Sequence, residues 1–236
     1  MTANRYATDV LGASIVAVGS FNPPIFSPAW LLQHNLIGTD DAAGALQDEE
    51  HVISRQITRY RAGAFLIQVM ENQLSIAMNG AITPALRDLA SGIFSTLSHT
   101  PVTAVGLNFY GHFKISDIKD YHRIGDVLAP KNVWSTAFGT DAEHLGMAEI
   151  TVVKFTTARS EREPSSPATD MTRVTVQPSS KVHPGIFIQV NDHHVIEKTK
   201  EFSAAQLAAL SIENNWSNMW GETSAIFNRL LTSALA

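Results

Sequence analysis

Two histidines and an aspartate stand together in the segment Asn191-Asp192-His193-His194. Imidazole and carboxylate groups can bind zinc or transfer protons as acid and base. However, neighbouring residues of a strand point to opposite faces, so His193 and His194 cannot easily share one ligand. The corresponding position after an earlier, similar strand is a polar turn, Glu71-Asn72. We therefore predict a solvated turn here and keep Asp192, His193 and His194 only as catalytic candidates.

A second polar cluster consists of His112, Asp117, Asp120 and His122. Asp117 and Asp120 are one helical turn apart and could share a metal ion with a distant histidine such as His183. The sequence has no H-E-x-x-H motif, phosphate-binding loop or nucleophile elbow. We expect a solvated helix face and predict neither a metal nor a cofactor. His112, Asp117 and His122 remain catalytic candidates for the alternative reading as an enzyme.

Arg55, Arg59 and Arg61 alternate along one apparent strand, 52–61, and would lie on one face. Three guanidinium groups on a sheet could bind phosphate and form an anion-binding site. The formal net charge of −5 opposes a general attraction to polyanions. Nucleic-acid binding is therefore the third alternative, and we do not expect it.

The last helix is predicted to begin at Ser203, with Gln206 in the capping-box position. It carries a stripe of large apolar residues that includes Trp216, Met219, Trp220 and Phe227. The stripe exceeds what one side of a small unit needs, so we predict that these four residues form an interface. The simplest partner is a second copy in a symmetric homodimer. Asn214-Asn215 and Gly221 are expected to break or bend this helix.

Composition narrows the class of protein. The chain has 236 residues, of which 44% are hydrophobic and none is cysteine. The absence of cysteine excludes disulfide frameworks, thiolate metal sites and cysteine nucleophiles. Neither a signal peptide nor a membrane-spanning stretch is apparent. We expect a cytoplasmic protein.

Two pairs of similar segments occur in the same order. Residues 14–38 align without a gap on 101–125, matching Ala17 with Ala104 and Phe26 with Phe113. Residues 65–69 then resemble 186–190. The pattern predicts an α+β protein of two tandem β-α-β-β-β-α units with an antiparallel sheet and helices on one face.

The units are predicted to span 1–100 and 101–236 and to form one pseudo-symmetric domain together. The second unit has predicted insertions near 126–146 and 159–170, and the latter reads as a flexible polar hairpin loop. Ser27-Pro28 and Thr83-Pro84 each predict a helix start.

The segment Phe21-Asn22-Pro23-Pro24-Ile25 resembles a sporadically distributed set of uncharacterised bacterial proteins with an N-P-P-I element after the first strand. The resemblance covers the first quarter of the chain and implies no catalytic residue. The duplicated plan is similar to that of TATA-box-binding-protein-like domains, a likeness of fold that carries no function.

The function expected from these observations is non-enzymatic binding or assembly through a protein interface. The sporadic distribution of the resembling proteins would fit an accessory or defence-linked component. The alternative is an enzyme or small-ligand binder that uses a cleft between the two units.

Overall fold

Alternating apolar residues build a single antiparallel sheet, which a computed structural model describes together with its helices over residues 8–156 and 170–236. Within these residues the sheet has nine strands. The strands are β1 Val10–Gly19, β2 Val52–Ile53, β3 Ile57–Ala62, β4 Phe65–Met70, β5 Gln73–Asn79, β6 Val102–Lys114, β7 Ile150–Phe155, β8 Met171–Pro178 and β9 Gly185–Val195.

The strand order is β2-β3-β4-β5-β1-β6-β9-β8-β7, with every neighbouring pair antiparallel. The chain is therefore an α+β protein with a large antiparallel sheet. β1 and β6 form its central pair, in which Ile15 lies opposite Leu107. β1 has β5 as its other neighbour, and β6 has β9.

Six α-helices lie within the described ranges. They are α1 Pro28–Gln33, α2 Thr39–Ala45, α3 Ala85–Thr96, α4 Ile118–Leu128, α5 Lys131–Phe138 and α6 Ala204–Leu235. Short 3₁₀ helices occupy Pro23–Phe26 and Ala142–His144. None of these helices combines the length and apolar character needed to cross a lipid bilayer.

Local capping explains where two of the helices begin. The hydroxyl of Ser27 accepts a hydrogen bond from the backbone N–H of Trp30, which caps α1. Ser203 and Gln206 form the reciprocal capping box at the start of α6. The cap predicted at Thr83-Pro84 is wrong in detail, because Pro84 itself is the N-cap of α3 and contributes no side-chain hydrogen bond.

One row of paired residues defines the side of the sheet on which the core forms. Reading across β3, β4, β5, β1 and β6, the row contains Tyr60, Ile67, Ile76, Ile15 and Leu107, all buried. The Tyr60 hydroxyl donates to the carbonyl of Phe26 at 2.7 Å, and α6 and α3 pack on the same side. We call this the helix side and the opposite one the open side.

The sequence matches that suggested a duplication are wrong in register. Ala17 is buried on the helix side and pairs with Val105, so its proposed equivalent Ala104 lies on the open side. Phe26 belongs to a 3₁₀ helix, whereas Phe113 lies in β6. The reason is that β6 is longer than β1, so the chain leaves the sheet later.

The second match equates strands in different positions. Residues 65–69 lie in β4, which is two strands away from β1. Residues 186–190 lie in β9, which is the immediate neighbour of β6. Their similar apolar sequences reflect similar burial rather than the same place in the sheet.

Three further predictions concern single segments of the chain. The predicted insertion at 126–146 contains α5 and the second 3₁₀ helix, while the polar loop predicted at 159–170 lies outside the described residues except for Asp170. Helix α6 passes through Asn214-Asn215 and Gly221 without a break. Burial of Ile212 and Trp216 on either side of the asparagines holds the helix to the core.

Candidate functional site

The helix side of the sheet changes from apolar to polar at β9. Ile186, Ile188 and Val190 continue the core, but Asp192 and His194 then occupy the same side of the strand. Asp192 lies opposite Leu107 of the apolar row. A carboxylate and an imidazole therefore occupy positions at which the fold elsewhere places core residues.

His194 is held between two carboxylates. Its Nε2 lies 2.7 Å from Oδ2 of Asp192, and its Nδ1 lies 3.3 Å from Oδ2 of Asp170. Asp170 is fixed in turn, because its Oδ1 accepts the backbone N–H of Val195 at 2.9 Å. Thr172 donates its hydroxyl to Oδ1 of Asp192 at 3.4 Å. We call Asp170, Asp192 and His194 the Asp-His-Asp cluster.

The electrostatics of this cluster favour an imidazolium. The hydrogen bond to Asp192 raises the pKa of His194, with further support from Asp170, while burial acts in the opposite direction. Both ring nitrogens act as donors in the charged form. The imidazolium therefore has no free nitrogen with which to accept a proton or bind a metal.

His193 and His112 lie on the open side, away from this cluster. Burial lowers the pKa of His193, although Asp170 acts in the opposite direction. His112 is buried; its Nδ1 is 2.8 Å from the Ser179 hydroxyl and its ring lies 4.8 Å from that of Phe187. Burial and the Lys181 charge lower the pKa of His112. The structure therefore separates the histidines that the sequence grouped.

The segment 191–194 is part of strand β9. The solvated turn predicted there is wrong, because β9 is longer than β4, the strand used for the comparison. The polar residues at the end of β9 instead pair with β6 and β8. A sequence signal was present: the apolar alternation of 186, 188 and 190 continues as Asp192 and His194.

The second predicted cluster serves to start a helix. Oδ1 of Asp117 accepts the backbone N–H groups of Lys119 and Asp120, at 2.7 and 2.9 Å, and so caps α4. His122 lies within α4, where its ring contacts Tyr121. Over residues 8–156 and 170–236, no group of three or more potential side-chain ligands is arranged to hold a metal ion. His112, Asp117 and His122 are therefore not brought together.

The arginine face predicted from the sequence is incomplete. Arg55 lies in the turn between β2 and β3, so the predicted single strand over 52–61 is wrong. Arg59 forms an ion pair with Glu50 at 2.7 Å and also donates to Gln68. Arg61 is exposed on β3. The three arginines thus do not form one anion-binding group on a strand.

The apolar stripe of α6 belongs to the core of the same chain. Trp216 is 2% exposed, Met219 and Phe227 are also buried, and Trp220 is partly buried. The rings of Trp216 and Trp220 lie 4.8 and 5.6 Å from that of Phe109. Burial of Trp216, Met219 and Phe227 removes these three residues from the predicted interface, because the central strand β6 supplies the apolar partner that the sequence pattern could not show.

Helix α5 differs from α6, because it exposes its large apolar side chains and buries a lysine. Its single buried side chain is that of Lys131, while Val133, Trp134 and Phe138 are 67%, 54% and 68% exposed. The rings of Trp134 and Phe138 lie 6.5 Å apart, one helical turn from each other. We call Val133, Trp134 and Phe138 the α5 patch. The i, i+4 spacing of Trp134 and Phe138 is the feature of the sequence that marks this patch.

Lys131 explains how α5 is held in place. Its Nζ donates to the carbonyls of Ala129 at 2.7 Å and Gly125 at 3.2 Å, at the end of α4. Asp126 lies 3.7 Å away. The ammonium gives the Ala129 carbonyl a donor and adds a second donor to the Gly125 carbonyl, which already accepts the backbone N–H of Ala129. α5 is therefore fixed through a polar contact, and its apolar residues stay in solvent.

The open side carries a network of amides at its centre. Oδ1 of Asn108 accepts from the side-chain amides of Asn191 at 2.8 Å and Gln189 at 3.1 Å. Tyr110 donates its hydroxyl to Asn79 at 2.7 Å and lies across Gly12, where a Cβ would overlap the phenol. These groups bind one another and brace the sheet.

Comparison with known proteins gives no family assignment. No protein-family pattern matches the chain, and no curated protein is significantly similar to it. The Asp-His-Asp cluster and the α5 patch are therefore the two features from which a function can be inferred.

Proposed function

We propose that the protein is a non-enzymatic binding or assembly protein that acts through a protein interface formed by the α5 patch. The observation that carries this proposal is the inverted burial of α5, whose lysine is buried and whose large apolar residues are exposed. Tryptophan and phenylalanine are enriched at protein interfaces. Exposed apolar groups that lie together on one helix are typical of such surfaces.

The size of the patch indicates a modest interface. Eight residues of helix are about 12 Å long, and the two aromatic side chains offer about 150–250 Å² each. A standard interface buries about 800 Å² on each partner. The α5 patch can therefore supply the centre of an interface, with the remaining contact area coming from its surroundings.

A second copy of the chain is the partner we propose first. In a two-fold interface, residue i of one copy contacts residue j of the other, and the reverse contact follows by symmetry. Trp134 and Phe138 are one turn apart, so two α5 helices packed antiparallel would place each tryptophan beside the other copy's phenylalanine. Offset or edge-on aromatic pairs of this kind are favourable.

The test is sedimentation of the whole chain over a wide concentration range. We expect a monomer–dimer equilibrium that is weakened at least about tenfold by Trp134→Ser with Phe138→Ser, because interface tryptophans dominate binding energy. Leu46→Ser is the matched control, since Leu46 is 65% exposed outside the patch. A protein that stays monomeric at about 1 mM, or a dimer insensitive to the double change, would contradict the proposal.

We also infer that the chain consists of two tandem units. Each half runs from a strand through helices to three further strands and a final helix, with β2 as an extra short strand in the first half. In each half the first strand lies beside the last, as β1 beside β5 and β6 beside β9. This support comes from topology and replaces the sequence alignment, whose register is wrong. An accessory or defence-linked role in the bacterial cytoplasm stays part of the proposal.

A further inference from the structure

A cleft lies beside the Asp-His-Asp cluster and is separate from the α5 patch. Its volume is about 820 Å³, within the range of small-molecule sites. Residues 194–197, at the end of β9 and after it, line one wall, and residues of α6 between Leu207 and Asn215 line another. Among the described residues, Thr156 after β7 and Asp170 before β8 also line the cleft. The cleft therefore lies within the second half of the chain, and not between the halves as the sequence analysis expected.

Among the residues that the structure describes, the charged groups at this cleft are mainly acidic. Asp170 and Glu197 line it directly, and Asp192 lies behind His194 in the cluster. Three carboxylates and one imidazolium, that of His194, give these four groups together a net charge of about −2. Concave surfaces of one charge concentrate ligands of the opposite charge.

Asp170 is placed so that it can accept a further cation. Its side chain is 51% exposed, whereas those of His194 and Asp192 are 16% and 14% exposed. Its two oxygens already bind His194 and the Val195 backbone, which fix its position before a ligand arrives. A carboxylate oxygen can accept more than one hydrogen bond. Preorganisation of this kind lowers the entropic cost of binding.

The remaining lining suits a ligand with a short apolar body. Leu207 packs partly on the core and Leu210 is 40% exposed in the cleft wall. Ser211 and Asn214, on the same wall, provide hydroxyl and amide groups. A cleft lined by apolar side chains and by the carboxylates of Asp170 and Glu197 fits an ammonium or guanidinium group carried on a few methylene groups.

We infer that this cleft binds a small organic cation, namely an alkyl ammonium or guanidinium compound. The ligand's charged group would lie between Asp170 and Glu197, and its apolar part would lie against Leu207 and Leu210. Its nitrogen would donate hydrogen bonds to the carboxylates while the cluster keeps its imidazolium. In this arrangement Asp192 and His194, which occupy core positions on β9, serve to position Asp170.

Calorimetric titration of the whole chain with hexylamine, hexanoate and 1-hexanol tests the inference. The three probes share one apolar chain and differ in charge. We expect saturable binding of hexylamine with a dissociation constant below about 10 mM, and binding at least about tenfold weaker for the other two. Equal binding of hexanoate or hexanol, or no binding of hexylamine at that concentration, would overturn the inference.

Three variants locate the site. Asp170→Asn and Glu197→Gln should each weaken hexylamine binding about tenfold or more, since each removes a charged acceptor. Glu213→Gln is the matched control, because Glu213 is exposed on α6 outside the lining. If circular dichroism shows that Asp170→Asn disturbs the fold, the location of the site is judged from Glu197→Gln alone. Unchanged binding in Glu197→Gln, or equal weakening in Glu213→Gln, would refute the placement.

The α5 variants separate this inference from the proposed protein interface. Trp134→Ser with Phe138→Ser should leave hexylamine binding unchanged within about twofold, since neither residue lines the cleft. Loss of hexylamine binding in that double variant would contradict the placement in the cleft. Failure of dimerisation alone would leave the cleft result intact.

Discussion

Replacing Trp216 by alanine distinguishes a core tryptophan from an interface tryptophan. The indole is 2% exposed and packs 4.8 Å from the ring of Phe109 on the central strand β6. Removing it leaves a cavity beneath α6, because helix and sheet cannot both move into the space. The matched change is Trp134→Ala, at a side chain that is 54% exposed.

The expected losses in the free energy of unfolding differ by nearly an order of magnitude between the two variants. Tryptophan-to-alanine changes in a core lower the free energy of unfolding by about 3–5 kcal/mol. That is a large part of the roughly 5–15 kcal/mol typical of a folded protein. Trp134→Ala should alter it by about 0.5 kcal/mol or less. For a chain of this size, with a urea m-value near 3 kcal/mol/M, the Trp216 change shifts the midpoint by about 1–2 M.

Urea unfolding followed by far-UV circular dichroism gives the answer, because that signal does not depend on the tryptophan removed. Both variants and the unaltered protein are compared at two protein concentrations. A loss below about 1 kcal/mol for Trp216→Ala would refute the packing argument. A loss that grew as the protein was diluted would place Trp216 between chains, as the sequence pattern first suggested.

Three other substitutions test local contacts. Asp192→Asn should lower the pKa of His194 towards its ordinary value, measured by NMR titration of the ring, because the main hydrogen bond that raises it loses its charge. Folding raises the pKa of His194, so its contribution to stability is fully present below the ordinary pKa of about 6.5. That contribution is lost as the pH rises through the pKa of the folded state. A free energy of unfolding that does not change with pH through this window would count against the cluster. Gly12→Ala should cost about 1–3 kcal/mol in urea unfolding, because the new methyl group overlaps the Tyr110 phenol, and a neutral result would show that the ring moves freely. Lys131→Met should lower the melting temperature, with a loss of about 1–3 kcal/mol, because it removes the ammonium donor from the Ala129 carbonyl and one of two donors from the Gly125 carbonyl; an unchanged melting temperature would show that water replaces the ammonium.

Local sequence rules predicted the parts of the fold that depend on neighbouring residues. Ser27 and the pair Ser203 and Gln206 cap their helices as expected, since capping involves residues three positions apart. The class, an α+β protein with antiparallel sheet, also followed from the spacing of strands and helices. The lengths of the strands could not be predicted in this way, because the far ends of β6 and β9 are defined by their pairing with each other.

The candidate sites were harder to predict, because their character depends on distant partners. The stripe of α6 matched an interface in sequence, and only Phe109 of β6 shows that Trp216 is internal. Asp170 joins the Asp-His-Asp cluster from 24 positions away, through His194. The aromatic residues of α5 had the right spacing, but their exposure follows from Lys131 occupying the buried position.

The pairing of β1 with β6 matters while the chain is still being synthesised. β1 is synthesised before one of its two neighbours, β6, which lies more than eighty residues further along the chain. Until β6 emerges from the ribosome, that edge of β1 presents unpaired backbone groups, which other chains can capture. Contacts between such distant segments also slow folding. A nascent chain of the first half is therefore the stage at which we expect the protein to depend most on chaperones.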